Sequence, residues 1–381
     1  MKRIEIYHPS TLVFGPESAA KMAQDFLTLD LPRLFILTIP GLLDQLLPVI
    51  DILKSGNISV KINLSIKGEP TFSDFLNVLA EAREFQASAI AGIGGGSVMD
   101  VAKLVATQLN NDQSLDSIIG NGLIKGRKTR LICMPSTAGT GSEVSPNSIL
   151  IDDNDGTKKG IISPFLVPDA VYIDPSFTLG LPSLVSAYTG IDALTHCIEA
   201  YANKFAHPVI DLYALEGIRL ISQNLVNAVK NGSDLDARTN VSLGSMYGGM
   251  CLGPVNTGGV HALAYPLSTR FKIPHGLSIA VLLPYVMEYN IKSATKRYAE
   301  IAAAMGAEKG KTDYETAKAG IQVITKLLSD CNLPGGLLAL GVPIGDLDAM
   351  ASEASEIQRL LKNNVREISV QDARTIYESA Y

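Results

Sequence analysis

The first 180 residues alternate short β-rich runs with stretches of helical periodicity, and this alternation is the feature that most constrains the fold. The runs "RLFILTI" (33–39), "SAIAGI" (88–93) and "RLICMPS" (130–136) are short and apolar, as buried strands are. Between the first two runs, stretches such as 41–56 carry apolar residues at helical spacing. Alternating strands and helices are typical of a parallel sheet with helices on both faces. We therefore predict an α/β fold for this half.

The pattern changes after Pro182, where long stretches such as 183–203 and 209–232 have apolar residues at helical spacing and no convincing strand follows. The stretch "TLGLPS" supplies glycine and proline near the point of change. We therefore predict two domains: an α/β dinucleotide-binding domain over 1–180 and an all-helical metal-binding and substrate domain over 181–381.

The composition excludes several classes of protein. With a formal charge of −6 and no basic run, the chain has no electrostatic footprint for nucleic acid. The 4 cysteines are far apart, as expected for reduced thiols in a reducing compartment. The apolar stretch "LSIAVLLPYVMEYN" is too short for a membrane span and contains Pro284. No signal peptide is recognised, so we predict a cytoplasmic protein that binds neither nucleic acid nor membrane.

The segment "SAIAGIGGGSVMDVAK" has the order strand, glycine-rich turn, helix, with Ser97 as the predicted N-cap. Such a turn directs backbone N–H groups and a helix dipole at one point, which suits a phosphate or pyrophosphate. The dinucleotide pattern G-x-G-x-x-G lacks its last glycine here, and the Walker lysine is absent. A tight turn packed against the sheet is the alternative interpretation.

A second loop, "CMPSTAGTGSEVS", combines glycines and hydroxyl groups after another predicted strand. Open α/β sheets bind ligands at the carboxyl ends of their strands. Two such loops favour a nucleotide cofactor over a merely hydroxyl-capped turn.

Three of the 5 histidines lie in segments that suggest a metal site. Asp192 and His196 are four residues apart on a predicted helix and therefore share one face. His261 and His275 stand beside small residues. Three imidazoles and one carboxylate suit Fe²⁺ or Zn²⁺ better than Ca²⁺ or Mg²⁺, and this chemistry leaves the choice between iron and zinc open. The alternative for the first two residues is a pair that only stabilises its helix.

Taken together, these motifs resemble the iron-containing, or group III, alcohol dehydrogenases. The resemblance runs from "FGPESAAKM" through "GIGGGSVMDVAK", "PSTAGTGSEVS" and "TGIDALTHCIEAY" to "GGVHALAYPLSTRFKIPHG". It implies a Rossmann-like N-terminal domain and an all-helical C-terminal domain, the dehydroquinate synthase-like fold. It also implies a cleft that holds NAD or NADP and a divalent metal, and a homodimer formed through the N-terminal region.

The resemblance assigns roles to particular residues. The implied metal ligands are Asp192, His196, His261 and His275, with Fe²⁺ as the expected ion and Zn²⁺ as the alternative. The implied cofactor contacts are Gly95, Gly96, Ser97, Asp100, Thr137, Thr140, Ser142 and Lys158. No side chain beyond the metal centre is expected to be catalytic.

Two positions depart from the pattern of some relatives. Ile39 stands where relatives that prefer NAD often carry an aspartate for the adenosine ribose, so NADP is not excluded. Tyr265 stands where some relatives carry a second histidine near the nicotinamide, so a proton relay through that histidine is absent.

The implied function is the reversible oxidation of a small alcohol to an aldehyde or ketone by hydride transfer to the nicotinamide. A divalent ion would lower the pKa of the alcohol as it lowers that of water. One alternative is a metal-dependent lyase of the dehydroquinate synthase and glycerol dehydrogenase superfamily. Such a lyase needs several basic residues for its substrate, whereas the segments "HALAYPLSTRF" and "DALTHCIEAY" carry only Arg270. The other alternative, a noncatalytic nucleotide sensor, leaves the metal ligands without a purpose.

Overall fold

The computed structural model describes residues 3–381, and these form two compact units. The α/β unit consists of Ile6–Thr137 and Gly141–Leu179. The helical unit consists of residues 3–5, Ala138–Thr140 and Gly180–Tyr381. The change of unit at 179–180 lies within the stretch "TLGLPS", where glycine and proline interrupt the regular pattern.

The α/β unit contains nine strands and four α-helices among its described residues. Its strands are β1 (Thr11–Phe14), β2 (Arg33–Leu37), β3 (Ser59–Asn63), β4 (Ala89–Gly94), β5 (Gly120–Asn121), β6 (Arg130–Pro135), β7 (Asn147–Ile151), β8 (Lys158–Ile162) and β9 (Ala170–Ile173). Its helices are α1 (Ser18–Phe26), α2 (Leu43–Ser55), α3 (Phe72–Glu84) and α4 (Gly96–Gln108).

Six of these strands form one sheet in the order β1-β9-β6-β4-β2-β3, and every pairing in it is parallel. The predicted α/β architecture is therefore confirmed. From β2 the chain runs to β3 on one side and then returns to β4 on the other, so the strand order reverses between β2 and β4. In an open parallel sheet this reversal marks the crevice where ligands bind.

Burial explains why the sheet strands have continuous apolar sequences. All six residues of β4 are buried, as are Leu34–Leu37 of β2. On one face, α1 and α2 cover the sheet with side chains such as Met22, Phe26 and Leu46. Strands covered on both faces have no solvent side on which polar residues would alternate.

A second sheet of three strands, in the order β5-β8-β7, is not predicted from the sequence. Its strands β7 and β8 pair in antiparallel fashion, and β5 has only 2 residues. β8 begins with Lys158 and Lys159, and the exposure of β7 alternates. These short and partly polar strands lack the apolar run that identifies the strands of the main sheet.

The helical unit contains ten α-helices among its described residues. Within the described residues beyond 180, β pairing is confined to an isolated bridge between Asn203 and Asn364. The helices are α5 (Ser183–Tyr201), α6 (Pro208–Lys230), α7 (Leu235–Leu252), α8 (Gly259–Phe271), α9 (His275–Ile291), α10 (Thr295–Ala304), α11 (Asp313–Asp330), α12 (Leu347–Ser355), α13 (Gln358–Leu361) and α14 (Val370–Ser379). Across the described residues, no helix combines the length and apolar character that crossing a membrane requires.

Helix α5 lies at the centre of this unit, and all of its residues from Gly190 to Tyr201 are buried. Close packing against α7 depends on Gly248, because a Cβ there would lie 3.1 Å from the Ala193 carbonyl oxygen and 3.2 Å from the His196 Cβ. The central helix therefore carries polar side chains into a tightly packed interior.

Candidate metal centre and glycine-rich loops

Three histidine side chains of the helical unit converge on one carboxylate oxygen, Oδ1 of Asp192. The Nε2 atoms of three histidines lie near it, at 3.4 Å for His261, 3.7 Å for His196 and 3.8 Å for His275. The ring centroids of His196 and His261 are 4.7 Å apart, and those of His261 and His275 are 5.4 Å apart. The structure thus brings together all four residues that the resemblance assigns to metal binding.

Three helices supply these side chains. Asp192 and His196 lie one turn apart on α5, His261 lies in the first turn of α8, and His275 is the first residue of α9. The start of α9 approaches α5 closely at Gly276, where a Cβ would lie 2.5 Å from the Tyr188 carbonyl oxygen. Glycine after the histidine is what permits this approach.

The site has buried polar atoms that the chain does not satisfy. Asp192 is 3% exposed and His261 is 5% exposed. Asp192 Oδ1 and His261 Nε2 make no hydrogen bond. Buried polar groups without partners are uncommon and costly. A divalent cation bound at this point would satisfy both atoms, so the residues fit the metal that the resemblance implies, and an oxygen with three imidazole nitrogens is a donor set suited to Fe²⁺ or Zn²⁺.

The charges of Asp192 and His196 suit metal binding, whereas a proton on His261 competes with it. Burial by itself would raise the pKa of Asp192, but the facing His196 and His261 side chains hold that pKa below its usual range. Burial lowers the pKa of His196 to about 4. Burial also opposes a charge on His261, yet Glu199 and Asp192 together raise the pKa of His261 to about 10. Metal binding would therefore displace a proton from His261.

Glu199 is a residue of the site that sequence analysis missed. Its Oε2 lies 2.5 Å from Nδ1 of His261, and its Oε1 accepts a hydrogen bond of 2.6 Å from the backbone N–H of Val260. The sequence could have indicated Glu199, because Asp192, His196 and Glu199 are spaced i, i+4, i+7 and therefore share one face of α5.

The first glycine-rich turn follows β4 in the α/β unit, and the N-cap of the helix after it lies two residues before the predicted one. Gly95 is the N-cap of α4, and Gly96 is the first helical residue. The prediction of Ser97 as the N-cap is therefore wrong. Gly95 has the extended conformation of an N-cap, with ψ of −179°, so the helix starts directly after it and Ser97 lies inside the first turn.

The glycines of this turn have different neighbours. A Cβ at Gly92 would lie 2.7 Å from the Ala102 Cβ, and one at Gly94 would lie 2.9 Å from the Val98 Cβ. These two glycines allow α4 to pack on its own strand. At Gly95 the nearest atoms belong to Thr137, at 3.6 Å, which is ordinary van der Waals contact. Packing within the chain therefore does not explain a glycine at position 95.

The second loop lies beside the first, since β4 and β6 are neighbours in the sheet and the Ser136 N–H donates to the Gly94 carbonyl oxygen at 2.9 Å. Two of the predicted cofactor contacts bond to each other: the Ser142 hydroxyl donates to Asp100 at 2.5 Å. Thr140 belongs to the short segment Ala138–Thr140 that groups with the helical unit.

Lys103 is a second residue that sequence analysis missed. Its side chain is fully buried, and its ammonium group donates to the carbonyl oxygens of Ser145 at 2.9 Å and Asn147 at 2.8 Å. Asp100, one turn earlier on α4, accepts the Ile149 N–H at 2.8 Å and, through its backbone oxygen, the Ser148 hydroxyl at 3.0 Å. Through these hydrogen bonds, Asp100 and Lys103 hold α4 against the segment 142–149.

The remaining predicted positions lie in different surroundings. Ile39 is half-buried and follows β2, whose neighbour β4 leads into the glycine turn. Lys158 begins β8, and its ammonium lies 2.6 Å from the Glu69 carboxylate. Tyr265 lies near the metal cluster with its ring centroid 6.3 Å from that of His275, and its hydroxyl accepts a hydrogen bond from Arg359.

Comparison with known families matches both halves of the chain. Residues 9–175 match the family described as iron-containing alcohol dehydrogenase. Residues 186–381 match the C-terminal part of the Fe-containing alcohol dehydrogenase family.

Individual relatives cover most of the chain. Long-chain-alcohol dehydrogenase 1 of Geobacillus thermodenitrificans is 37% identical over 90% of this chain and 86% of its own length. Sulfoacetaldehyde reductase of Bilophila wadsworthia is 31% identical over 98% of each chain. Among solved structures, a 1,3-propanediol oxidoreductase superposes with a TM-score of 0.96, at 31% identity and full coverage of both chains.

Proposed function

This chain belongs to the iron-containing alcohol dehydrogenase family, and we propose that it uses a divalent metal held by Asp192, His196, His261 and His275 to interconvert a small alcohol and its aldehyde or ketone. Members of the family are oxidoreductases that act on CH–OH groups, and this chain is one of them. The observation that carries the proposal is the convergence of three imidazoles on the Asp192 carboxylate, whose Oδ1 is buried without a hydrogen bond.

When bound, the metal supplies Lewis acidity to the substrate oxygen. The chain's own contribution is to hold the donors. Asp192 stays ionised because its pKa is held low, and His196 stays neutral at physiological pH because burial lowers its pKa to about 4. Ionised carboxylate and neutral imidazole are the forms that bind metal ions.

We propose that Gly95, Gly96 and Ser97, with Thr137, receive the pyrophosphate of NAD or NADP. Support comes from the position of this turn, at the carboxyl end of β4 where the strand order reverses. The N–H groups that begin a helix point along its axis, so those of Gly96 and Ser97 are proposed to meet the pyrophosphate. We also propose Asp100, Thr140 and Ser142 as cofactor contacts, and the hydrogen bond between Ser142 and Asp100 supports this by holding the two loops together.

The cofactor specificity depends on Ile39. This residue has no carboxylate that would bond the ribose hydroxyls or repel a 2′-phosphate, so we propose that the enzyme accepts NADP as well as NAD. Lys158 is proposed as a further cofactor contact, for which its ion pair with Glu69 would have to open or widen.

The substrate is proposed to be a small alcohol. The relatives described above are named for a long-chain alcohol, sulfoacetaldehyde and 1,3-propanediol, so the substrate varies across the family. No side chain is assigned as a general base, and protons are proposed to exchange with solvent. Tyr265 stands where some relatives carry a second histidine, and its hydroxyl accepts a hydrogen bond from Arg359.

We also propose a homodimer in the cytoplasm. β1 is one of the two edge strands of the six-stranded sheet, with β9 as its partner, and an edge strand can pair with a second copy of the chain. The four cysteines are buried and unpaired, as in a reducing compartment.

The test is turnover measured as absorbance at 340 nm after the metal is removed and replaced. The stripped protein is reloaded with Fe²⁺ under anaerobic conditions, or with Zn²⁺, and given NAD or NADP with short alcohols, or the reduced cofactors with aldehydes. We expect activity that depends on the metal and falls by about 10³-fold or more in His261→Ala, since metal catalysis supplies several kcal/mol.

The matched control is His8→Ala, which removes an exposed histidine and should leave turnover unchanged. Activity that persists without metal, or that survives in His261→Ala, contradicts the proposed function. The ratio of the rates with the two cofactors tests the proposal on Ile39.

A further inference from the structure

We propose that Glu199 is a positioning residue of the metal centre: it holds His261 with the proton on Nδ1, so that Nε2 presents its lone pair to the ion. This inference rests on the proposed metal centre and extends it to a residue that does not touch the metal. The geometry that carries it is the contact of 2.5 Å between Glu199 Oε2 and His261 Nδ1, inside a cluster where both side chains are 6% exposed.

Glu199 holds two successive residues of α8 at once. Oε1 accepts the Val260 N–H at 2.6 Å, while Oε2 faces the next residue's imidazole. The Val260 N–H is one of the first four of its helix, which have no partner inside the helix. One carboxylate on α5 thus fixes both the start of α8 and the orientation of the ring that projects from it.

The requirement for a carboxylate follows from the two donors it meets. A glutamate accepts at both oxygens, whereas a glutamine has one acceptor oxygen and one donor amide. With glutamine at 199, either the amide faces the Val260 N–H, donor against donor, or it faces His261 Nδ1. In the second case Nδ1 must become the acceptor, and the proton moves to Nε2, where it blocks the metal.

The surroundings leave space for this contact. A Cβ at Gly258 would lie 3.5 Å from Glu199 Oε1 and 3.4 Å from Asn364 Oδ1, and the Gly259 N–H donates to that same Asn364 oxygen at 3.3 Å. Asn364 thus fixes the backbone of Gly259, immediately before the residue whose N–H Glu199 accepts. Partners of this kind, which orient a metal-binding histidine through its other nitrogen, typically change metal affinity by about 10- to 100-fold when they are removed.

The experiment measures the affinity of the stripped protein for Co²⁺ and Zn²⁺ by competition with a chelator, for the wild type and Glu199→Gln. We expect the variant to bind both ions about 10- to 100-fold more weakly, and its Co²⁺ absorption spectrum to change because the His261 ring is no longer held. Glu300→Gln is the control: this glutamate of the same unit accepts the Tyr201 hydroxyl at 2.6 Å, and its change should leave metal affinity unaltered.

A second measurement needs no variant. In the Zn²⁺-loaded wild type labelled with ¹⁵N-histidine, we expect a proton on His261 Nδ1 in a hydrogen bond to a carboxylate. Wild-type affinity in Glu199→Gln, or an Nδ1 of His261 without a proton in the loaded protein, overturns the role of Glu199. If His261→Ala still loses the metal in that case, the metal centre stands. A wild type that binds neither ion overturns the metal centre and the role of Glu199 together.

Discussion

The metal cluster and the glycine-rich loops both bury charged side chains, but they differ in the hydrogen-bond partners that these side chains have. On α4, the Lys103 ammonium and the Asp100 carboxylate find carbonyl, hydroxyl and N–H partners within their own unit. In the helical unit, Asp192 Oδ1 and His261 Nε2 are buried and make no hydrogen bond. The loops are therefore held by groups of the chain itself, whereas we propose that a metal ion completes the cluster in the helical unit.

The largest expected effect follows from filling the metal cluster. A ligand that binds only the folded protein stabilises it by about 4 kcal/mol when present at roughly 1,000 times its Kd. We expect Zn²⁺ to raise the free energy of unfolding by this order, and hydrogen exchange to slow at the starts of α8 and α9 and in the second half of α5. Equal slowing in α4 would contradict the contrast between the two regions.

The second prediction concerns a variant that removes hydrogen bonds from the glycine-rich loop region. Lys103→Met removes a buried cation and leaves the Ser145 and Asn147 carbonyl oxygens without their donor. A buried acceptor left without its partner costs about 1–3 kcal/mol. Urea unfolding should show that loss, and cofactor binding should weaken while affinity for Zn²⁺ is retained.

The control for this variant is Lys54→Met, which makes the same change at an exposed lysine on α2. Its effect should stay within about 0.5 kcal/mol. Loss of Zn²⁺ affinity in Lys103→Met would show that the two regions are coupled and would remove the contrast drawn above.

The smallest effect is expected within the glycine turn. Gly92→Ala forces a methyl group to 2.7 Å from the Ala102 Cβ and should cost about 1–3 kcal/mol of stability through overpacking. Gly95→Ala meets nothing nearer than 3.6 Å and should change stability by about 0.5 kcal/mol or less.

If a cofactor phosphate lies against Gly95, however, the methyl group of Gly95→Ala should weaken cofactor binding, measured by titration. Unchanged cofactor affinity in Gly95→Ala would contradict a phosphate site at this turn.

The architecture could be predicted from the sequence because buried parallel strands and amphipathic helices leave different apolar periods. β4, buried along its whole length, is an apolar run, whereas β8 begins with two lysines and was missed. The error at Ser97 has a local cause, since a glycine serves as the N-cap without any side-chain signal.

Only part of the candidate metal cluster could be predicted from the sequence. The pair Asp192 and His196 follows from helical spacing, but His261 and His275 are more than 60 residues away, and their assignment needed the family resemblance. Glu199 and Lys103 were missed because spacing shows which face of a helix a residue occupies and does not show which group it meets there.

The contact of Glu199 with Val260 and His261 has a consequence for the order of assembly. Because these bonds involve only the chain's own groups, one of the four proposed donors is already oriented when the polypeptide finishes folding. An ion can then enter, leave and be replaced without renewed folding of α8. Zinc generally binds such donors more tightly than iron, so affinity alone would not select iron. The ion bound by each molecule would then depend on which metal was available when it was loaded.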